Sequence, residues 1–119
     1  MFKKCNTCGQ VVHILKNGNN LICCGKDMME LIPNSTDAAF EKHVPEYSIN
    51  DNKIYVKVNH VMESDHYIEW IAIENDSEFY MKKLKPGENP EAIFDYIPNA
   101  IVYSYCNKHN LWKKEIKEA

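Results

Sequence analysis

The chain has 119 residues, of which 17 are acidic and 14 are basic, and its formal net charge at pH 7 is -3. This balance argues against a nucleic-acid partner, because such a partner requires a basic surface. Every basic residue is a lysine, so the chain has no guanidinium group that could bind phosphate or carboxylate in a bidentate manner. The length suits a small module joined to one domain with its own core.

The N-terminal segment MFKKCNTCGQ is polar, and no segment has the roughly 18 consecutive apolar residues of a membrane span. We therefore expect a cytoplasmic protein that has no membrane partner. In a reducing compartment, clustered thiols indicate metal ligands more often than disulfides.

Residues 1–34 are predicted to form a small metal-binding domain. A strand VVHIL, a turn at Asn17-Gly18 and a second short strand LI lie between two pairs of cysteines. A unit of this size cannot bury enough apolar surface to be stable, so it requires a metal ion, disulfides or a partner subunit.

Four cysteines are the candidate ligands of this unit: Cys5, Cys8, Cys23 and Cys24. The CNTC segment can wrap two sulfurs around one side of an ion, and the glycine after each pair allows a tight backbone turn. The adjacent second pair is expected to distort the tetrahedron, and it would form a strained disulfide. Spacing alone favours zinc over iron, and free or disulfide-paired cysteines come third.

Residues 35–119 are predicted to form a second domain, an antiparallel β-sandwich. The alternating segments KIYVKV, YIEWIAI, EFYMKKL and AIVYSYC are separated by turn-forming residues. STDAAFEK is predicted to form one helical turn capped by Ser35 or Thr36, and LKPGENPEA is predicted to be a loop. The fold class is therefore mainly β, with a small four-cysteine domain before the sandwich.

Histidines occur at positions 13, 43, 60, 66 and 109, and the fifth cysteine is Cys106. His13 lies within a predicted strand, where a structural role is expected. Cys106 and His109 alone could form a nucleophilic pair with a reactive thiolate. A mononuclear metal site would use Cys106 together with four histidines, His43, His60, His66 and His109, and would leave an octahedral ion with one open position.

Several segments together resemble the desulfoferrodoxin family, the two-iron form of superoxide reductase. They are CNTC...CCG, STDAAFEKHVP, the H-x5-H segment that leads into IEW, LKPGENPEA and YCNKHNLW. The resemblance extends in consistent order from Cys5 to Trp112. Two positions depart from the family pattern, since Val61 replaces a common proline and Tyr67 replaces a frequent tryptophan.

The resemblance implies two iron ions, one in a desulforedoxin-like N-terminal domain and one in an immunoglobulin-like sandwich. The first would have four thiolate ligands, Cys5, Cys8, Cys23 and Cys24. The second would have four equatorial imidazoles, His43, His60, His66 and His109, and the axial thiolate of Cys106. Lys42 would attract superoxide to the open position, and Glu41 would bind the ferric ion after the product leaves.

The implied activity is the one-electron reduction of superoxide to hydrogen peroxide, which detoxifies superoxide without releasing dioxygen. The resemblance also implies a rubredoxin-like electron donor and a homodimer. Competing hypotheses are a non-catalytic electron carrier that uses the four-cysteine iron and a zinc-knuckle interaction module. Dismutation is the nearest alternative chemistry, and oxygen evolution would distinguish it.

Overall fold

The computed structural model describes residues 1–117, which form twelve β-strands and one short 3-10 helix at Phe40–Lys42. None of these described residues belongs to a helix long and apolar enough to cross a membrane. The strands are β1 Phe2–Lys4, β2 Val11–His13, β3 Ile22–Cys23, β4 Lys26–Asp27, β5 Met29–Glu30, β6 Glu46–Asn50, β7 Lys53–Lys57, β8 Ile68–Glu74, β9 Phe79–Lys83, β10 Glu91–Asp95, β11 Ile101–Cys106 and β12 Asn110–Glu115.

The first compact unit is Met1–Ile32. It contains a three-stranded antiparallel sheet in the order β2-β1-β5 and a separate β3-β4 hairpin. Its buried side chains are Phe2, Cys5 and Met28. This core is too small to offset the conformational entropy of a 32-residue unit, so the unit depends on its cysteines for stability.

The second compact unit begins at Pro33 and is a β-sandwich of two antiparallel sheets. One sheet has the strand order β10-β7-β6 and the other has the order β12-β11-β8-β9. All seven strands pair in antiparallel fashion, so the predicted fold class is confirmed.

Buried and exposed side chains alternate along the strands, and the buried ones form the core between the two sheets. In β7, Ile54 and Val56 are buried while the residues between and beside them are exposed, and β10 repeats the pattern with Ala92 and Phe94. The central strand β8 is buried along most of its length. Cys106 belongs to the same apolar cluster and is fully buried, so this core surrounds one candidate metal ligand.

The predicted helical turn begins later than expected. The 3-10 helix follows Ala39, and no side chain caps its N-terminus, so the predicted cap at Ser35 or Thr36 is wrong. The N-cap position is Ala39, three residues after Thr36, and an N-cap side chain bonds N–H groups only two or three residues after itself, so neither hydroxyl stands at the capping position.

The prediction of a loop over LKPGENPEA is correct only up to its last two residues. Strand β10 begins at Glu91, because Ala92 and Phe94 can pair with β7 and bury their side chains. The predicted boundary between the domains was 34/35, whereas the compact units divide at 32/33. Residues 118 and 119 of the predicted second domain lie outside the described residues.

Candidate metal centres

The second unit brings five predicted ligand atoms together. One ring nitrogen of each of four histidines and one sulfur all lie within 4.8 Å of one another. The residues are His43, His60, His66, His109 and Cys106. They are separated by up to 66 positions in the sequence, so only the folded sandwich assembles them.

Each ligand lies at the end of a regular element or in a turn. His43 follows the 3-10 helix, His60 and His66 lie between β7 and β8, and Cys106 ends β11. His109 lies in the turn that joins β11 to β12, in which Asn110 adopts a left-handed conformation with φ of 64°. A three-residue hairpin loop followed by a left-handed residue is a standard connection, and asparagine tolerates that conformation.

A register shift precedes Cys106. Tyr105 pairs with Trp70 on β8, but Cys106 pairs with Ile68, so Glu69 is an extra residue on β8. A bulge of this kind bends the strand and changes the direction of nearby side chains. Cys106 is fully buried at this point.

Hydrogen bonds determine which ring nitrogen of His43 and His60 faces the centre. The Nδ1 atom of His43 donates to the carbonyl oxygen of Ala39 at 2.7 Å, so its Nε2 atom keeps a free lone pair. His60 donates through Nδ1 to the carbonyl of Val61, and its Nε2 atom lies 3.5 Å from the sulfur of Cys106. Both imidazoles are therefore oriented as neutral metal ligands.

His66 and His109 complete the set of nitrogen atoms. Among residues 1–117, His66 has a buried Nε2 atom with no hydrogen-bond partner. Leaving such an atom unpaired is costly, and an ion at the centre of the cluster would satisfy it. His109 faces the cluster through Nδ1, 3.7 Å from the sulfur of Cys106. Three histidines thus offer Nε2 and one offers Nδ1, and the set fits a metal ion.

The electrostatic environment favours neutral imidazoles. Burial lowers the pKa of His60 and of His109, and the neighbouring histidines lower both further. Burial raises the pKa of the Cys106 thiol, while hydrogen bonds from the backbone N–H groups of Lys108 and His109 oppose that shift. A cation at the centre would strongly favour the thiolate.

Two supporting residues were not identified as such from the sequence. Ser104 is fully buried, and its hydroxyl donates to the carbonyl oxygen of His43 at 2.6 Å. Trp112 donates through Nε1 to the carbonyl oxygen of His109 at 3.0 Å and stacks on the ring of His43. Their closeness in sequence to Cys106 and His109 was the available signal, but their partners become visible only in the fold.

The first unit brings the four N-terminal cysteines together in the same way. Their sulfur atoms lie within 4.8 Å of one another, with Cys5 buried and Cys8 and Cys24 exposed. Positive φ angles of 84° at Gly9 and 74° at Gly25 allow the tight turn after each cysteine pair. Cys24 itself has a φ of 54°, a left-handed conformation that costs energy in a residue other than glycine.

The four thiols of this cluster change one another's pKa. A hydrogen bond from the backbone of Cys8 lowers the pKa of Cys5, whereas the side chains of Cys5 and Cys8 raise the pKa of Cys23. The pKa of Cys24 is also raised, chiefly through its interaction with Cys8. Four thiolates this close together require a cation, so the donor set fits a tetrathiolate metal ion.

The remaining predicted residues lie outside both clusters. Glu41 and Lys42 are exposed in the 3-10 helix directly before His43. Val61, one of the departures from the family pattern, is half exposed and accepts the hydrogen bond from His60. His13 lies on β2, where its ring packs against Phe2 with a centroid separation of 4.9 Å.

Comparisons with known proteins agree with these two centres. The desulfoferrodoxin profile matches residues 35–115, and the profile of the desulfoferrodoxin N-terminal domain matches residues 2–32. The chain is 44% identical to a desulfoferrodoxin of Syntrophotalea carbinolica, over 94% of this chain and 93% of that protein. It is 42% identical to a desulfoferrodoxin homolog of Archaeoglobus fulgidus, over 92% of each chain.

Solved structures are similar as well. The superoxide reductase from Treponema pallidum has a TM-score of 0.72 and 25% identity, covering 89% of this chain and 93% of that one. The superoxide reductase from Nanoarchaeum equitans has a TM-score of 0.54 and 28% identity, covering 70% of this chain and 97% of that one. The four-cysteine cluster and the cluster of four histidines with Cys106 fit the two-iron arrangement of desulfoferrodoxins. The chain therefore belongs to the desulfoferrodoxin family.

Proposed function

We propose that this protein is a superoxide reductase, which converts superoxide to hydrogen peroxide with one electron and two protons. The observation that carries the proposal is the cluster of four imidazole nitrogens and one buried thiol within 4.8 Å of one another. The similar proteins from Treponema pallidum and Nanoarchaeum equitans are named superoxide reductases. Iron held by these five residues would supply the electron that superoxide receives.

The protein residues hold that ion and control access to it. Cys106 is fully buried and His43 almost fully, whereas His60, His66 and His109 are partly exposed. A small anion would therefore approach from the side of the exposed imidazoles, and Cys106 would hold the ion from the side of the core. The N–H groups of Lys108 and His109 stabilise the negative charge of the thiolate.

Lys42 is proposed to attract the substrate. Its exposed side chain immediately precedes His43 in the sequence, and under this proposal its ammonium group would add positive charge near the approach to the centre. Such an attraction raises the association rate of an anion and weakens as salt is added. Glu41, the other exposed residue of the same 3-10 helix, is proposed to supply a carboxylate oxygen, a ligand that iron accepts.

The four-cysteine centre is proposed to hold a second iron ion that exchanges electrons with a partner. The exposure of Cys8 and Cys24 supports this role, because electrons pass more readily to a centre near the surface. The proposed donor is rubredoxin-like, the proposed assembly is a homodimer and the proposed compartment is the cytoplasm. We call the four-cysteine cluster centre I, and we call the cluster of four histidines with Cys106 centre II.

The deciding experiment mixes the reduced iron-loaded protein with superoxide and measures both hydrogen peroxide and dioxygen. We expect one peroxide for each electron that the protein loses, with no dioxygen from the protein reaction. Dioxygen evolution together with peroxide would instead identify a dismutase. If the iron-loaded protein does not accelerate the loss of superoxide, the proposed function is wrong.

A further inference from the structure

Asn107 links the two chain segments that carry Cys106 and His66. It follows Cys106 directly and is half-buried at the start of the β11-β12 turn. Its Nδ2 atom donates to the carbonyl oxygen of Asp65 at 2.9 Å, and its Oδ1 atom accepts from the backbone N–H of Tyr67 at 3.0 Å. The backbone N–H of Asn107 also donates to the carbonyl oxygen of Tyr67, at 3.2 Å.

These three hydrogen bonds contact both neighbours of His66. Asp65 precedes His66 and Tyr67 follows it, so the peptide groups on either side of this ligand are bound to one residue. The partners determine the orientation of the amide, because a carbonyl only accepts and an N–H only donates. Asparagine offers the donor and the acceptor on two separate atoms, so it can bond both backbone groups at once.

The loop that carries His66 has other constraints that do not involve the Asn107 side chain, including the pairing of Ile68 with Cys106 and the bond from the N–H of Gly87 to the carbonyl of Met62. His66 pairs with Glu63 in an isolated bridge, and the N–H of Ile68 is bonded to the sulfur of Met62. Within residues 1–117 the Nε2 atom of His66 has no hydrogen-bond partner. The direction of its imidazole therefore depends on two supports, the Glu63 bridge to the backbone of His66 and the bonds from Asn107 to the backbone at Asp65 and Tyr67.

We propose that Asn107 is a positioning residue that fixes His66 relative to Cys106. Through one side chain, a movement of the Cys106 turn is transmitted to the His66 loop, so the imidazole and the sulfur keep a constant separation. This inference deepens the proposed function, since it concerns the geometry of centre II. It depends on metal binding at that centre and does not require that superoxide be the substrate.

The test compares Asn107→Ala with Asn75→Ala as a matched control. Asn75 is also half-buried, and its side chain also binds two backbone segments, donating to Pro98 and accepting from Ser77 and Glu78. It supports no metal ligand. The measurement is the affinity of centre II for Fe(II) in competition with a chelator, together with the thermal unfolding temperature of each variant.

We expect both variants to unfold at lower temperatures than the unmodified protein. Only Asn107→Ala should weaken Fe(II) binding at centre II, by about 10–100-fold, as is typical when a residue that orients a metal ligand is removed. Centre I should keep its metal and its absorption bands in both variants. Equal affinities of centre II in the two variants would overturn the proposal.

A second variant, Asn107→Asp, separates geometry from charge. It keeps an oxygen that can accept from Tyr67 but cannot donate to the carbonyl of Asp65, and its added negative charge should favour retention of a cation. Weaker Fe(II) binding in this variant must therefore come from lost positioning. Tighter or unchanged Fe(II) binding in Asn107→Asp would contradict the proposal. Full Fe(II) binding by the unmodified protein without any reaction with superoxide would refute only the proposed function.

Discussion

The Nε2 atom of His43 lies 3.1 Å from the Nδ1 atom of His109. Two imidazole nitrogens bound at right angles to one metal ion, each about 2.1 Å away, would be about 3.0 Å apart. The observed separation is close to that value, and His43 keeps its lone pair on Nε2 because its Nδ1–H is bonded to Ala39. The two nitrogens are thus placed as neighbouring ligands of one ion.

Replacement of the buried thiol should separate folding from activity. We expect Cys106→Ser to keep the β-sandwich but to lose most of its reaction with superoxide, because serine does not supply a soft anionic sulfur. Circular dichroism checks the fold, and single-turnover kinetics check the reaction. The control is Cys8→Ser. It should remove the absorption bands of centre I and leave the single-turnover reduction of superoxide by centre II unchanged. Wild-type kinetics in Cys106→Ser would exclude a role for this thiol as a ligand.

Removal of the lysine charge should slow the reaction with superoxide without removing iron. For Lys42→Ala we expect a rate reduction of about tenfold at low salt and a smaller difference at high salt, since salt screens the attraction. The control is Lys83→Ala, which removes an equal charge from the exposed edge strand β9. Stopped-flow kinetics at several ionic strengths provide the measurement. Equal rates for the two variants would show that position near His43 is unimportant.

Substitution of Trp112 should perturb both the stability of the second unit and centre II. Trp112→Phe removes the hydrogen bond to the carbonyl of His109 and part of the stacking on His43, at an expected cost of about 1–3 kcal/mol. Trp70→Phe is the matched control, since Trp70 is the other tryptophan of the sandwich and stacks on the ring of Tyr105, with a centroid separation of 5.4 Å.

Absorption spectroscopy of the iron-loaded variants is the decisive measurement for Trp112. Both substitutions should lower the unfolding temperature, but only Trp112→Phe should shift the thiolate-to-iron absorption band of centre II. An identical shift in Trp70→Phe would mean that the band reports general loosening of the sandwich.

Metal removal should unfold the first unit before the second. The first unit buries only Phe2, Cys5 and Met28, whereas the second has an extensive apolar core. After treatment with a chelator and a thiol reductant, we expect backbone amides of β1 and β2 to lose protection from hydrogen exchange. Amides of β7, β8 and β11 should remain protected. Persistent protection of β1 in the metal-free protein would show that the first unit is stable without an ion.

The sequence alone was sufficient to predict the ligand residues and several strands. Cysteine and histidine are recognisable by residue type and by family motif, and KIYVKV alternates clearly enough to predict β7. Strand β10 was not predicted, because its first two residues fall in the predicted loop and prolines and a glycine precede its short alternating segment. Strand β12 has only two buried residues next to charged ones, so its pattern is weak.

The supporting contacts could not be predicted for a different reason. Asn107 and Ser104 have ordinary positions in the sequence, and each acts through a partner about 40 to 60 residues away. Such pairs depend on strand register and on the bulge at Glu69, which tertiary packing decides. Glu41 and Lys42 remain predictions from the family resemblance and from their position before His43.

Each centre takes all of its ligands from one side of the junction between Ile32 and Pro33. A recombination event at this junction could therefore add or remove one entire metal centre while leaving every ligand of the other in place. The chain is modular in this genetic sense, and its two centres can be inherited, lost or altered independently. Selection can consequently adjust the ligands of the first unit without passing through variants that change a ligand of the second.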